Sequence, residues 1–144
     1  MVTVLGGSDD AYVRMLVTVD SIAELKLAFP KTDYPELYGS DDTFLLQGLV
    51  DWENESWPFF GITTDGTKAI YEFRHNSIVN TLGRGDTALD PLFTEITIPG
   101  SVTNKGIDHL KNVTITVYAH AMQAKGFEND EAGAWEAFNP NLAN

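Results

Sequence analysis

The chain has 144 residues, no cysteine and a formal net charge of −12 at pH 7, from 21 acidic residues against nine lysines and arginines. This charge disfavours nucleic acid and anionic lipid as partners, and the absence of thiols excludes disulfide scaffolds and cysteine nucleophiles. The length and the hydrophobic content of 43% predict a single domain over residues 1–144, and no apolar run approaches the roughly 20 residues of a membrane span.

The first predicted unit is a β-hairpin. Residues 2–5 and 11–19 are typical of strands, and the glycines and aspartates between them suit a tight turn. Ser21 and Glu24 then have the spacing of a capping box, which predicts a short helix that Pro30 ends. An extended edge segment fits that stretch nearly as well.

The middle of the chain also predicts short strands. Residues 44–52 are apolar enough for a buried strand, and another begins at Trp57. Asp65-Gly66 is a two-residue hairpin signal, followed by a return strand over residues 69–73. Residues 92–98 alternate again, and the segment up to Asn112 predicts a polar crossover with one short helical turn.

The most regular pattern covers residues 113–122. Its apolar side chains alternate with the others over the whole length, which predicts a strand with one dry face. The residues of that face are Val113, Ile115, Val117, Ala119 and Ala121, and the opposite face carries Thr114, Thr116, Tyr118, His120 and Met122.

A short helix is predicted after this strand. Asn129 is placed to cap it, and Ala134, Trp135 and Phe138 follow at helical spacing before Asn139-Pro140 ends the run. We expect this helix to lie back over the sheet. Seven or eight short strands with only small helical insertions predict an all-β fold, an antiparallel β-sandwich.

No residue pattern in the chain is typical of catalysis. The three histidines, His75, His109 and His120, lack the His-Glu-x-x-His spacing of zinc proteases. Gly83-Arg84-Gly85 lacks the third glycine of a phosphate-binding loop, so it predicts a turn. The sequence therefore predicts no catalytic, cofactor-binding or metal-ligating residue and no cofactor.

Two residue classes have a functional and a structural interpretation. Acidic turns at Asp9-Asp10, Asp41-Asp42 and residues 128–131 offer oxygens to calcium, but they lack the spacing of an EF-hand loop, which favours solvated turns. Aromatic residues at strand spacing can stack on sugars, but their size favours a place in the core. These residues are Trp52, Trp57, Phe59, Phe60 and Tyr71.

Three blocks of the sequence stand in a recognisable order. The first reads SDDAYVR and then VTV, within residues 8–19. The second contains YEF at 71–73, VNTLGRGDT at 79–87 and PLFTEITIP at 91–99. The third has Ile115, Val117, Ala119, Ala121, Gln123, Ala124, Gly126, Phe127, Ala134 and Trp135. Together they resemble the TasA/camelysin-like family of exported bacterial proteins, which a dedicated signal peptidase processes.

The resemblance implies a jelly-roll-like sandwich, secretion to the extracellular space or cell surface, and assembly into biofilm-matrix or surface fibres. In such fibres an N-terminal strand of one subunit completes the sheet of the next, so the implied partners are further copies and other matrix proteins. A leader and one N-terminal strand of the natural precursor are expected to precede the chain. Camelysins have also been classed as metalloendopeptidases, which makes that enzyme the alternative. A carbohydrate-binding or adhesin module is a third interpretation.

Overall fold

The computed structural model describes residues 3–4, 10–77, 79, 87–124, 127 and 129–137. The strands of this part of the chain are β1 (Thr3–Val4), β2 (Ala11–Asp20), β3 (Phe59–Asp65), β4 (Lys68–Arg74), β5 (Thr87–Ala88) and β6 (Thr114–Gln123). Its α-helices are α1 (Ile22–Ala28), α2 (Asn104–Leu110) and α3 (Glu131–Ala137). None of the described helices is both long and apolar enough to cross a membrane.

Four of the strands form one antiparallel sheet in the order β3-β4-β2-β6. β2 lies inside this sheet because its alternate side chains are apolar on the covered face: Val13, Val17 and Val19 are buried there. Val17 lies opposite Tyr71 of β4 on one side and Val117 of β6 on the other. The coarse prediction of an antiparallel, mostly β fold with short helices is therefore confirmed.

The predicted N-terminal hairpin is wrong. β1 pairs with β5, with Thr3 opposite Ala88, while β2 pairs with β4 and β6. The sequence pattern identified the two strands correctly, but the alternation of side chains carries no information about which strand is the neighbour.

The hairpin between β3 and β4 is confirmed, with its turn one residue later than predicted. Asp65 pairs with Lys68, so the two loop residues are Gly66 and Thr67. Gly66 has φ of 62°, a left-handed conformation that glycine adopts without a steric cost.

The predicted strand over residues 44–52 is wrong, since Leu46–Leu49 form a 3₁₀-helix. Leu46 and Leu49 are three residues apart, so one 3₁₀ turn buries both against the sheet. The prediction of a full strand over residues 92–98 is also wrong: this stretch forms one isolated bridge, Val50 to Ile96. The sheet is therefore covered on its inner face by α1, α2 and short turns.

The structure forms α3 and the helical turn predicted before Asn112, and at α1 it forms the helix and not the extended segment that fitted nearly as well. Two of the caps differ from the prediction. Ser21 adopts a left-handed conformation and makes no capping side-chain bond at α1; the Glu24 carboxylate contacts His109 instead. At α3 the side chain of Asp130, and not that of Asn129, accepts the amide of Gly133. Phe138 and the stop at Asn139-Pro140 lie outside the described residues.

Candidate functional site: the open edge of β6

β6 is an edge strand with a long unpaired side. It pairs with β2 without a register shift from Ala11–Gln123 to Asp20–Thr114, and no other strand among the described residues pairs with it. The opposite edge, β3, has a register irregularity between Phe59 and Gly61 and ends in polar residues. Bulges and charges of that kind discourage strand pairing, and β6 has neither.

The hydrogen-bonding groups on the free side of β6 belong to its odd-numbered residues. The amide of Ala124 donates to the carbonyl of Asp10 at 2.8 Å, and Val13 and Ala11 use their backbone groups on the β4 side of β2. Antiparallel pairs alternate strictly, so the even-numbered residues of β6 bond to β2. The odd-numbered residues point their N–H and C=O groups outward; they are Ile115, Val117, Ala119 and Ala121.

The inner face of β6 is uncovered, contrary to the predicted dry face. Val17 is completely buried, whereas its direct cross-strand neighbour Val117 is 43% exposed. Ala119 and Ala121, farther along the same face, are also exposed. β6 thus has the alternating pattern of a core strand, but α1, α2 and the short turns that cover the sheet do not extend over most of its inner face.

An apolar groove opens at the Ile115 end of this face. It has a volume of about 150 Å³ and lies between α1, the 3₁₀-helix, the start of β6 and the extended segment around residue 97. Its lining residues are Leu25, Phe29, Leu46, Leu49, Ile96, Ile98, Leu110, Val113 and Ile115. Ile96 and Ile98 are 43% and 46% exposed at its rim, and water in such a groove is readily displaced by an apolar side chain.

The outer face of the sheet carries a charged cluster beside β6. The guanidinium groups of Arg14 and Arg74 both contact the same oxygen of Glu72, at 3.6 Å and 2.6 Å. Arg14 also lies 4.3 Å from the ring centroid of Trp135, so α3 packs back over the sheet as predicted. His120 of β6 is the fifth member of the cluster and accepts a bond at Nδ1 from Nε–H of Arg14.

Burial, and then the positive charge of Arg14, lower the pKa of His120, while Glu72 opposes this shift. The imidazole is therefore neutral at pH 7, consistent with an unprotonated Nδ1. β6 has no Asp, Glu, Lys or Arg, so it carries no charge at neutral pH in a chain with a net charge of −12.

No family model, no curated protein and no solved structure matches this chain.

The structure does not bring the three histidines together. His75 lies against Trp57 with ring centroids 5.0 Å apart, His109 contacts Glu24 on α1, and His120 lies in the Arg14 cluster. Within the described part of the chain, no group of three His, Cys, Asp or Glu side chains is arranged to hold a metal ion.

The aromatic residues mostly belong to the core, as their size predicts. Trp57 and Tyr71 are fully buried, and their polar atoms bond to the backbone carbonyls of Asp90 and Phe44. Phe60 is the exception: it is 59% exposed and stacks against the guanidinium of Arg74. Sugar stacking through Trp57 is therefore excluded by its burial.

Some side chains of the acidic turns have partners among the described residues, but Oδ1 of Asp10 is buried without a hydrogen-bond partner there. Asp42 contacts Lys31. Asp51, which the sequence did not single out, accepts bonds from Thr94 and from the amide of Glu95, and these bonds lower its pKa to about 2. Asp9, Glu128 and the turn predicted at Gly83-Arg84-Gly85 lie outside the described residues.

The sequence did not predict the groove or the open edge of β6, although one of its features relates to them. Ala119 and Ala121 stand where a covered strand carries larger side chains. Small residues at the end of an otherwise bulky apolar face fit an end of the strand that no layer covers.

Proposed function

We propose that this protein is a secreted structural subunit of an extracellular matrix or surface fibre, in which subunits join by β-strand addition at β6. The observation that carries the proposal is the outer side of β6, which no strand among the described residues pairs with, and where the backbone groups of four consecutive odd-numbered residues, 115 to 121, are directed away from β2. An incoming strand would satisfy these groups, and main-chain hydrogen bonds would supply much of the affinity.

The apolar inner face supports the same proposal. A strand added beside β6 places every second side chain over the groove, next to Ile96 and Ile98. Burying these side chains and Val117 would contribute roughly 25 cal/mol for each Å² removed from water. The resemblance to the TasA/camelysin-like family supports secretion and fibre formation, and the added strand would give the present sheet a fifth strand.

The direct test is a pair of matched lysine variants. Val117→Lys places a charge on the inner face of β6, and Thr63→Lys places the same charge on the exposed β3 edge. We expect the wild-type chain to self-associate in analytical ultracentrifugation and to form filaments at higher concentration in negative-stain electron microscopy. Val117→Lys should abolish both, because a charge at a strand edge blocks pairing.

The Thr63→Lys variant is the control and should associate like the wild type. Far-UV circular dichroism of both variants checks that the fold is kept. A wild-type chain that remains monomeric at all accessible concentrations would overturn the proposal, as would equal loss of association in the two variants.

A further inference from the structure

The surface that joins two copies of this protein must avoid its negative charge. Each copy has a formal charge of −12, so contacts through acidic surface would be repulsive. β6 is a ten-residue strand without a formally charged side chain. Its single titratable imidazole, His120, is buried and neutral at pH 7. β6 is therefore a surface on which two identical copies can meet without like charges facing each other.

Symmetry restricts how two β6 strands can pair. In an antiparallel pair, residues directly opposite each other share a face of the sheet, so odd residues must meet odd residues and even residues must meet even ones. A twofold axis perpendicular to the sheet satisfies this rule. The residue nearest the axis lies opposite the same residue of the second copy. Tyr118 and Ala119 are the two residues at the centre of β6 that could take this position.

The sizes of the side chains favour the axis at Tyr118. In that register Ile115 lies opposite Ala121 of the second copy, and Val117 lies opposite Ala119 of the second copy, so each large side chain of the inner face meets a small one. An axis at Ala119 instead places alanine opposite alanine at the centre of the pair, where two small side chains leave apolar surface unfilled.

The backbone fits the same arrangement. The outward N–H and C=O groups belong to the odd-numbered residues, so Val117 and Ala119 of the second copy would exchange two hydrogen bonds, and Ile115 and Ala121 would do the same. Tyr118 would then lie in a non-hydrogen-bonded pair, where the strands approach most closely.

We propose that β6 pairs antiparallel with β6 of a second copy about a twofold axis at Tyr118, which joins two four-stranded sheets into one. This inference rests on the proposed function, because it names the strand that the open edge receives. The two apolar inner faces then lie on the same side of the joined sheet. A twofold pair closes the β6 edge of both copies, so the repeating unit of the proposed fibre would be this dimer.

Cysteine cross-linking tests the register, since the chain has no native cysteine. In Tyr118→Cys the two cysteine Cα atoms would be about 4.5 Å apart, within the range that a disulfide spans. Thr116→Cys is the matched control on the same face, and its two Cα atoms would be about 14 Å apart. Both side chains are exposed, so the substitutions leave the core intact.

We expect Tyr118→Cys to form covalent dimers more than about tenfold faster than Thr116→Cys under mild oxidation, because only its Cα separation permits a disulfide. A mixture of Val117→Cys and Ala119→Cys chains should give the mixed dimer in preference to either self-dimer. Deletion of residues 1–5 should leave the association unchanged.

Two results would overturn the inference in distinguishable ways. If the chain associates and Val117→Lys still blocks it, but Tyr118→Cys cross-links no faster than Thr116→Cys, β6 receives another strand and the proposed function stands. Loss of association on deleting residues 1–5, with the far-UV circular dichroism spectrum unchanged, would identify the incoming strand as the N-terminal one. If no variant and no wild-type chain associates, the proposed function fails together with the inference.

Discussion

Arg14 and His120 lie opposite each other on β2 and β6, and Nε–H of Arg14 donates to Nδ1 of His120 at 3.3 Å. The bond requires an imidazole whose Nδ1 is unprotonated, because a protonated Nδ1 has no lone pair to accept with. Protonation would also place two positive charges side by side. The titration of this histidine is thereby coupled to the packing of β6 against β2 and of α3 over Arg14.

The first prediction concerns the pH dependence of stability. Because the folded protein lowers the pKa of His120 below its ordinary value of 6.5, the unfolded chain binds this proton more readily. The stabilisation is present above about pH 6.5 and is lost as the pH falls through that value toward the folded pKa. Urea unfolding should give a lower free energy of unfolding at pH 5.5 than at pH 7.5.

His120→Gln separates this effect from that of the other titrating groups. The glutamine side chain can still accept a bond from Arg14 but does not titrate, so the variant should lose less stability between the two pH values than the wild type. Identical pH dependence in the two proteins would contradict the role assigned to His120.

The second prediction concerns the buried hydroxyl of Tyr71. It donates to the carbonyl of Phe44 at 2.7 Å, and burial raises its pKa. Tyr71→Phe leaves that carbonyl without its partner, which should cost about 1–3 kcal/mol of unfolding free energy. Tyr118→Phe removes a hydroxyl from a tyrosine that is 48% exposed and should change stability by less than about 0.5 kcal/mol. Chemical denaturation of both variants measures the difference, and equal values would refute it.

The third prediction concerns the β3–β4 hairpin. Gly66→Ala forces a β-carbon into a left-handed conformation, with φ of 62°, and should destabilise the protein by about 1–2 kcal/mol. Gly61→Ala is the control in the same hairpin, since its φ is not in the left-handed region and nothing lies within 4 Å of the added carbon. Thermal unfolding should give a lower midpoint for Gly66→Ala alone. A similar drop for both glycines would argue against the turn geometry.

The sequence predicted which segments form strands and helices better than it predicted which strands pair with each other. The strands β2, β4 and β6 and the helices α2 and α3 follow from local signals, such as the alternation in residues 113–122 and the turn at Gly66. The pairing of β1 with β5 was not predictable, because a two-residue ladder depends on contacts far apart in the chain.

The candidate site was predictable only as a strand. The alternation of apolar side chains predicted that Val117 and Ile115 share a face of the strand. Whether that face is covered depends on where α1, α2 and the 3₁₀-helix pack. An apolar run with two leucines three residues apart, Leu46 and Leu49, formed a helical turn where a strand was predicted. The layer that covers the sheet, made of α1, α2 and this 3₁₀-helix, therefore borders the apolar groove beside β6.

Amide hydrogen exchange along β6, read residue by residue, tests the central claim most directly. In dilute protein the amides of Val117 and Ala119 should exchange quickly, while those of Thr116 and Tyr118, which bond to β2, should be protected. At concentrations where the protein self-associates, Val117 and Ala119 should become protected as well. Association that leaves these two amides exchanging as fast as in the dilute protein would contradict strand addition at β6.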